Sequence, residues 1–238
     1  MPRKLAFVHI PKTAGMSLTH ALHTGWPCAK IVATSEELAA MSDAEVQQYN
    51  LIAGYFYAHQ IEQPRFAGFD VVTLIRNPMD RFHSAWRFAR MCVEAGLPTD
   101  AAMRYAAAVP FSEWAFSPLG VSQQHTHLYI LGLNAGDRAE YIPLDDLLTR
   151  AKARLDRMLV GVVEQIDNLL RLVFRRHGRG PVPAAGRHLV TGGESGEIPL
   201  SRAQHEALLE VMRPDFELYK HARDLLLRRL EQEQAAPP

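Results

Sequence analysis

The stretch Phe7-Val-His-Ile-Pro-Lys12-Thr13-Ala-Gly15-Met-Ser17-Leu18 decides how this chain is read. The apolar run over 5–10 has the character of a buried strand, Pro11 stops it, and Leu18 and Leu22 recur at i, i+4 beyond it. That pattern predicts strand, tight loop, helix. A helix opening from such a loop presents backbone N–H groups that lack intrahelical partners, at the positive end of its dipole, where an anion belongs. Lys12 adds a point charge, Thr13 and Ser17 add hydroxyls, and Gly15 lets the backbone approach a phosphate closely. The nucleoside-triphosphate pattern G-x-x-x-x-G-K-[ST] is absent, because no glycine stands one or six residues before Lys12. This weighs against a P-loop kinase, which would need ATP and magnesium.

A second unit of the same kind follows. Phe69-Asp-Val-Val-Thr-Leu-Ile75 is β-branched and nearly continuous in apolar character, the signature of an interior strand. It ends at Arg76-Asn77-Pro78, where asparagine can cap and proline can occupy the first helical position. The helix so predicted carries Phe82, Ala85, Trp86 and Ala89 on one face, with Ser84 about two turns down. Arginine suits a bidentate grip on phosphate, so Arg76 is the natural second anion ligand.

Between and beyond these corners, strand and helix keep alternating. Thr34-Ser-Glu-Glu37 and Ser201 with Gln204 have the capping-box spacing, and a short helix is expected from Asp43. Strands are expected at 51–54, 141–142 and 159–163, and helices at 144–158 and 166–177. The region 101–133 reads as helical, interrupted at Pro110 and Pro118. Residues 178–196 form a long glycine-rich loop, and 231–238 a frayed tail. The expected architecture is α/β, a mainly parallel sheet flanked by helices in one domain over 1–238.

Composition narrows the partners. Lys plus Arg (26) balances Asp plus Glu (26), so no net charge is available to hold a nucleic acid or other polyanion by bulk attraction. Cys28 and Cys92 give neither a disulfide framework nor metal-ligand spacing. Without a signal-peptide pattern or an apolar window of about 18 residues, the expected location is the cytoplasm, with no membrane partner. Nothing in the sequence bears on oligomeric state.

Taken together, the two corners resemble the paired signature motifs of the PAPS-dependent sulfotransferases (PAPS, 3′-phosphoadenosine 5′-phosphosulfate), most closely the carbohydrate type that includes heparan sulfate 2-O-sulfotransferase and its bacterial relatives. His9-Ile-Pro-Lys-Thr-Ala-Gly-Met-Ser17 looks like the 5′-phosphosulfate loop, and Leu74-Ile-Arg-Asn-Pro-Met-Asp-Arg-Phe-His-Ser-Ala-Trp86 like the 3′-phosphate motif R-[DN]-P-x-[DE]-R-x-x-S. Weaker similarity continues through 159–169 and through Arg187-His-Leu-Val-Thr191. The resemblance implies a P-loop-like sulfotransferase fold, PAPS as donor with PAP as product, no metal, and a saccharide or small-molecule hydroxyl as acceptor. It implies that Lys12, Thr13, Gly15, Met16 and Ser17 hold the 5′-phosphosulfate, that Arg76 and Ser84 hold the 3′-phosphate, and that Lys12 stabilises the leaving oxygen.

The acceptor needs a general base with a pKa near neutrality, for which histidine is the usual side chain. In the heparan 2-O relatives that base is expected in a Gly-His pair, which here is Gly54-Tyr55. His59, four residues on, is the nearest substitute; Tyr55, His9 and His125 are the alternatives. The departure at Tyr55 also leaves room for a relative that binds the nucleotide without catalysis.

Overall fold

The computed structural model describes residues 3–184, 186 and 200–235. The Arg187-His-Leu-Val-Thr191 segment and most of the expected 178–196 loop lie outside them. Elements follow in the order β1 (Lys4–Val8), α1 (Gly15–Gly25), β2 (Ala29–Val32), α2 (Ser35–Ala40), α3 (Asp43–Gln48), β3 (Leu51–Gly54) and β4 (Phe69–Ile75). Next come α4 (Pro78–Glu94), α5 (Ala101–Ala108), α6 (Phe111–Trp114), α7 (Pro118–Gln124), α8 (Thr126–Gly132) and α9 (Leu144–Arg157). The chain closes with β5 (Leu159–Val162), α10 (Ile166–Arg176), α11 (Arg202–Val211) and α12 (Arg213–Ala235).

The five strands form one parallel sheet in the order β2-β3-β1-β4-β5. Alternation along β1 splits the core between the two faces. Leu5 and Phe7 join Leu18, Leu22 and Trp26 from the α1 side and Leu169, Val173 and Phe174 of α10. Ala6 and Val8 face the opposite layer, with Leu128 and Leu131 of α8 and Leu147 and Leu155 of α9. Both faces are covered, as a parallel sheet requires. A third cluster, outside these layers, is built on α4 by Phe82 and Ala89 with Phe111, Trp114 and Leu208.

This order places a topological switch point between β1 and β4, because the chain leaves β1 toward β2 and β3 on one side and leaves β4 toward β5 on the other. Ligands of open α/β sheets bind at such a point, beyond the carboxyl ends of the strands. Lys12 and Arg76 follow the ends of the two strands that flank it.

Local chemistry set most of the boundaries. Thr34 accepts from Glu37 N, Ser42 and Ser201 complete capping boxes, and Asn77 caps α4 with Pro78 at its first position. Two expectations need correction, and one strand was not expected. Residues 141–142 are not a strand: a 3-10 turn spans Ala139–Tyr141 and Tyr141 is exposed, with no strand to pair it among the described residues. The expected tail from Glu231 is helical through Ala235, since α12 extends past its last packed leucines. The edge strand β2 escaped the sequence reading because Ala29-Lys-Ile-Val32 is too short and too polar to show a period.

Candidate functional site

Beyond β1 the backbone takes an unusual course. Lys12 (φ 69°) and Ala14 (φ 56°) both lie in the left-handed region, with Thr13 at negative φ between them. For residues with a β-carbon this conformation costs about 1–2 kcal/mol each. Alternating handedness turns successive N–H groups inward, the geometry of an anion nest. Ala14 is also the N-cap of α1, and no side chain caps that helix. Among the described residues no side chain caps the amides of Gly15 and Met16, whereas those of α4 are engaged: Asn77 Oδ1 accepts from Met79 N at 3.0 Å and Asp80 N at 3.3 Å. The two corners are thus unequal, a backbone site on α1 and a side-chain site, Arg76, ahead of α4.

They meet directly. The Arg76 guanidinium donates through Nη1 to the Lys12 carbonyl at 3.2 Å. Lys12 Nζ lies 3.7 Å from the centre of the Phe88 ring. Burial lowers the Lys12 pKa to about 8, the Arg76 charge pushes in the same direction, and Cys92 opposes both. Ser84, Phe88 and Cys92 recur at i, i+4 along α4, so one stripe of that helix faces Lys12. Phe88 was missed in the sequence because an aromatic at helical spacing reads first as core.

Thr13 is fully buried and its hydroxyl donates to the Ile10 carbonyl at 2.8 Å. The hydroxyl closes the turn, which leaves the backbone N–H of Thr13 as the group it offers an anion. Ser17 and Ser84 are buried, and Met16 is exposed. Gly15 abuts the His9 ring, and a β-carbon there would fall on ring atoms. His9 itself stacks on Phe7 at 5.4 Å and on Tyr55 at 4.5 Å. Burial, with the Lys12 charge adding, holds its pKa down at about 4. His9 thus underlies the loop as a neutral packing group. Gly15→Ala is expected to cost about 1–3 kcal/mol through this overpacking. Thermal denaturation checks it, and the loss should shrink when His9→Ala makes room; an undiminished loss in the double variant counts against the close contact as its cause.

His59 stands in the 3-10 turn Ala58–Glu62 that follows β3, the neighbour of β1 in the sheet. Its Nδ1 contacts the Leu133 carbonyl at 3.1 Å, and it stacks on Tyr57 at 5.7 Å. Among the described residues it shares no partner with Lys12 or Arg76. Leu133 stands at the opposite end of α8 from His127, about 9 Å along the helix axis. Tyr55, at the Gly-His position of the resemblance, stacks over His9 and is partly exposed.

A buried polar cluster that the sequence did not signal backs onto Arg76. Its backbone N–H points to His127 Nε2 at 3.5 Å, and His127 Nδ1 lies 3.6 Å from Asp215 Oδ1. The other Asp215 oxygen contacts His125 Nδ1 at 2.7 Å. Although two positions apart, both histidines reach one carboxylate because His125 sits in the break between α7 and α8. Arg81 is fully buried nearby and donates to the Gln123 carbonyl. Burial lowers its pKa to about 10, against the pull of Asp215.

Other features lie elsewhere. His177, at the end of α10, contacts Asp70 at 2.9 Å, at the amino end of β4 and so at the other end of that strand from Arg76. A groove of about 670 Å³ is lined by Tyr105, Phe116, Pro118 and Ala207 among others, and shares no residue with the Lys12 loop. Among the described residues no group of three or more His, Cys, Asp or Glu side chains is placed to hold a metal ion, and no helix is long and apolar enough to cross a membrane.

Fold and site together define a parallel α/β protein with a cationic, amide-lined corner at the switch point of its sheet. The structure is similar to that of a sulfotransferase from Alicyclobacillus acidocaldarius, with a TM-score of 0.50 and 15% identity, over 92% of this chain and 94% of that one. At that identity the likeness is one of fold. No protein-family profile and no curated protein matches the sequence.

Proposed function

We propose that this protein transfers a sulfuryl group from PAPS to an acceptor hydroxyl, on a carbohydrate as the motif resemblance suggests. The observation that carries this reading is the contact of Arg76 with the Lys12 carbonyl at the switch point. It joins two motifs whose ligands would be the two phosphate ends of one nucleotide. Transfer forms the bond from acceptor oxygen to sulfur, breaks that from sulfur to the 5′-phosphate oxygen, and delivers the acceptor proton to a base.

The loop from Lys12 to Ser17 at the start of α1 would hold the 5′-phosphosulfate, with Gly15 and Met16 contributing backbone only. Arg76, with Ser84 further along α4, would hold the 3′-phosphate. Lys12 would stabilise negative charge on the leaving oxygen. His59 is the proposed base. A carbonyl only accepts, so His59 Nδ1 donates its proton to Leu133 O and Nε2 keeps its lone pair. Burial lowers the His59 pKa, which keeps the ring neutral near pH 7.

Thermal denaturation with PAP tests the binding half of this proposal. At a concentration of 100 Kd, PAP should add about 2.7 kcal/mol to stability, or roughly 5–10 °C in Tm at this size. The shift should appear without magnesium and largely vanish in Arg76→Ala. Stabilisation by ATP with Mg²⁺ and none by PAP would defeat the assignment.

A further inference from the structure

The buried cluster behind Arg76 has a consequence for the site. Arg76 is the first residue past the β4–β5 ladder, which ends at Ile75 and Val162. The partner of its backbone N–H is His127 Nε2 at 3.5 Å, and a backbone N–H withdrawn from water needs such an acceptor. We propose that His127, oriented by Asp215, is a positioning residue for Arg76: its Nε2 lone pair receives the Arg76 N–H while its Nδ1–H faces Asp215 Oδ1. This rests on the nucleotide-binding reading of Arg76 and adds to it the element that sets where the guanidinium stands.

Only one state of the ring suits both neighbours. With the proton on Nε2, an N–H would face the Arg76 N–H and a lone pair would face a carboxylate, so both contacts would be repulsive. The doubly protonated ring would still oppose the Arg76 N–H. Burial lowers the His127 pKa, and the neighbouring Arg81 charge acts in the same sense, so the neutral ring is favoured against the pull of Asp215. Asp215 is itself anchored through its second oxygen by His125 at 2.7 Å. The order of support therefore runs from α12 through the α7–α8 junction to the end of β4. From there the Arg76 side chain reaches the Lys12 carbonyl at 3.2 Å.

The test is a double-mutant cycle on PAP affinity, measured by titration calorimetry. His127→Phe should weaken PAP by about tenfold, the value of one hydrogen bond. His127→Gln, whose Oε1 can accept from the Arg76 N–H, should recover most of that loss. In an Arg76→Ala background, His127→Phe should have no further effect. An equal loss in both backgrounds, or a Gln variant as weak as Phe, overturns the positioning role. Long-range ¹⁵N NMR of the wild-type histidines near pH 7 needs neither a folded variant nor a nucleotide. His127 should carry its proton on Nδ1, and a proton on Nε2 overturns the proposal. A wild-type protein that ignores PAP but shows the Nδ1–H tautomer would sink the nucleotide reading while supporting the support given to Arg76.

Discussion

Transfer of labelled sulfate from PAPS is expected to fall by about 10²–10³-fold in Lys12→Ala, the usual cost of removing a group that meets developing negative charge. The position of the ammonium explains the size. Lys12 Nζ lies over Phe88 and near Arg76, in surroundings where water is partly excluded and a charge acts strongly. A pH signature accompanies the loss. With its pKa lowered to about 8, Lys12 is mostly protonated at pH 7 and becomes neutral as pH rises through 8. PAP should therefore bind most tightly below pH 8 and progressively more weakly above it, and that slope should be absent in Lys12→Met. The stability of the free protein should run the other way: the folded state gives up the Lys12 proton before the unfolded chain does, so this residue's contribution rises between about pH 8 and its ordinary value of 10.5. Full transfer activity in Lys12→Ala would remove the residue from the chemistry. Comparable activity in His59→Ala would move the base elsewhere while leaving the role of Lys12 intact.

Asp215→Ala is expected to cost about 3–5 kcal/mol of stability, because it removes the buried acceptor of His125 and the negative charge that favours the buried Arg81 guanidinium, which then stays buried without it. The carboxylate is fully buried, as is Arg81, and among the described residues Asp215 is the charge that opposes the effect of burial on Arg81. Burial alone would raise the Asp215 carboxyl, but the hydrogen bond from His125 and the approach of His127 outweigh it and hold the carboxyl below its usual range. Its contribution is thus present above the ordinary carboxylate pKa and disappears only as pH falls through the lower folded value. Urea unfolding at pH 7 measures the loss, and a cost within about 1 kcal/mol would mean that Arg81 is not held by this carboxylate. Acid acts earlier through His9: the unfolded chain takes up a proton below pH 6.5 that the buried ring refuses until about pH 4, so stability should decline across that window.

Fold and site were not equally legible. Capping residues and apolar periodicity are short-range signals, and Thr34, Ser42, Asn77 and Ser201 start their helices at the positions such signals mark. Where the sequence lacked a period, as at Ala29–Val32, or offered only two apolar residues, as at 141–142, a strand was missed or invented. The Lys12 loop was legible because strand, lysine, glycine and helix lie within a dozen residues. Even there, the reasons behind individual residues changed: Gly15 makes room for His9, and the Thr13 hydroxyl closes the turn.

By itself, the sequence determined the two strand-loop-helix corners, their cationic residues and the parallel α/β class, since each depends on interactions within one or two turns of chain. Only the tertiary structure decided that Arg76 meets the backbone of Lys12, 64 positions earlier, and that Phe88 covers the lysine. It alone brought Asp215 to His125, 90 positions away, and behind Arg76. Such pairings follow from strand order and helix packing, which set how far a charge is buried and what faces it; no local pattern carries that information.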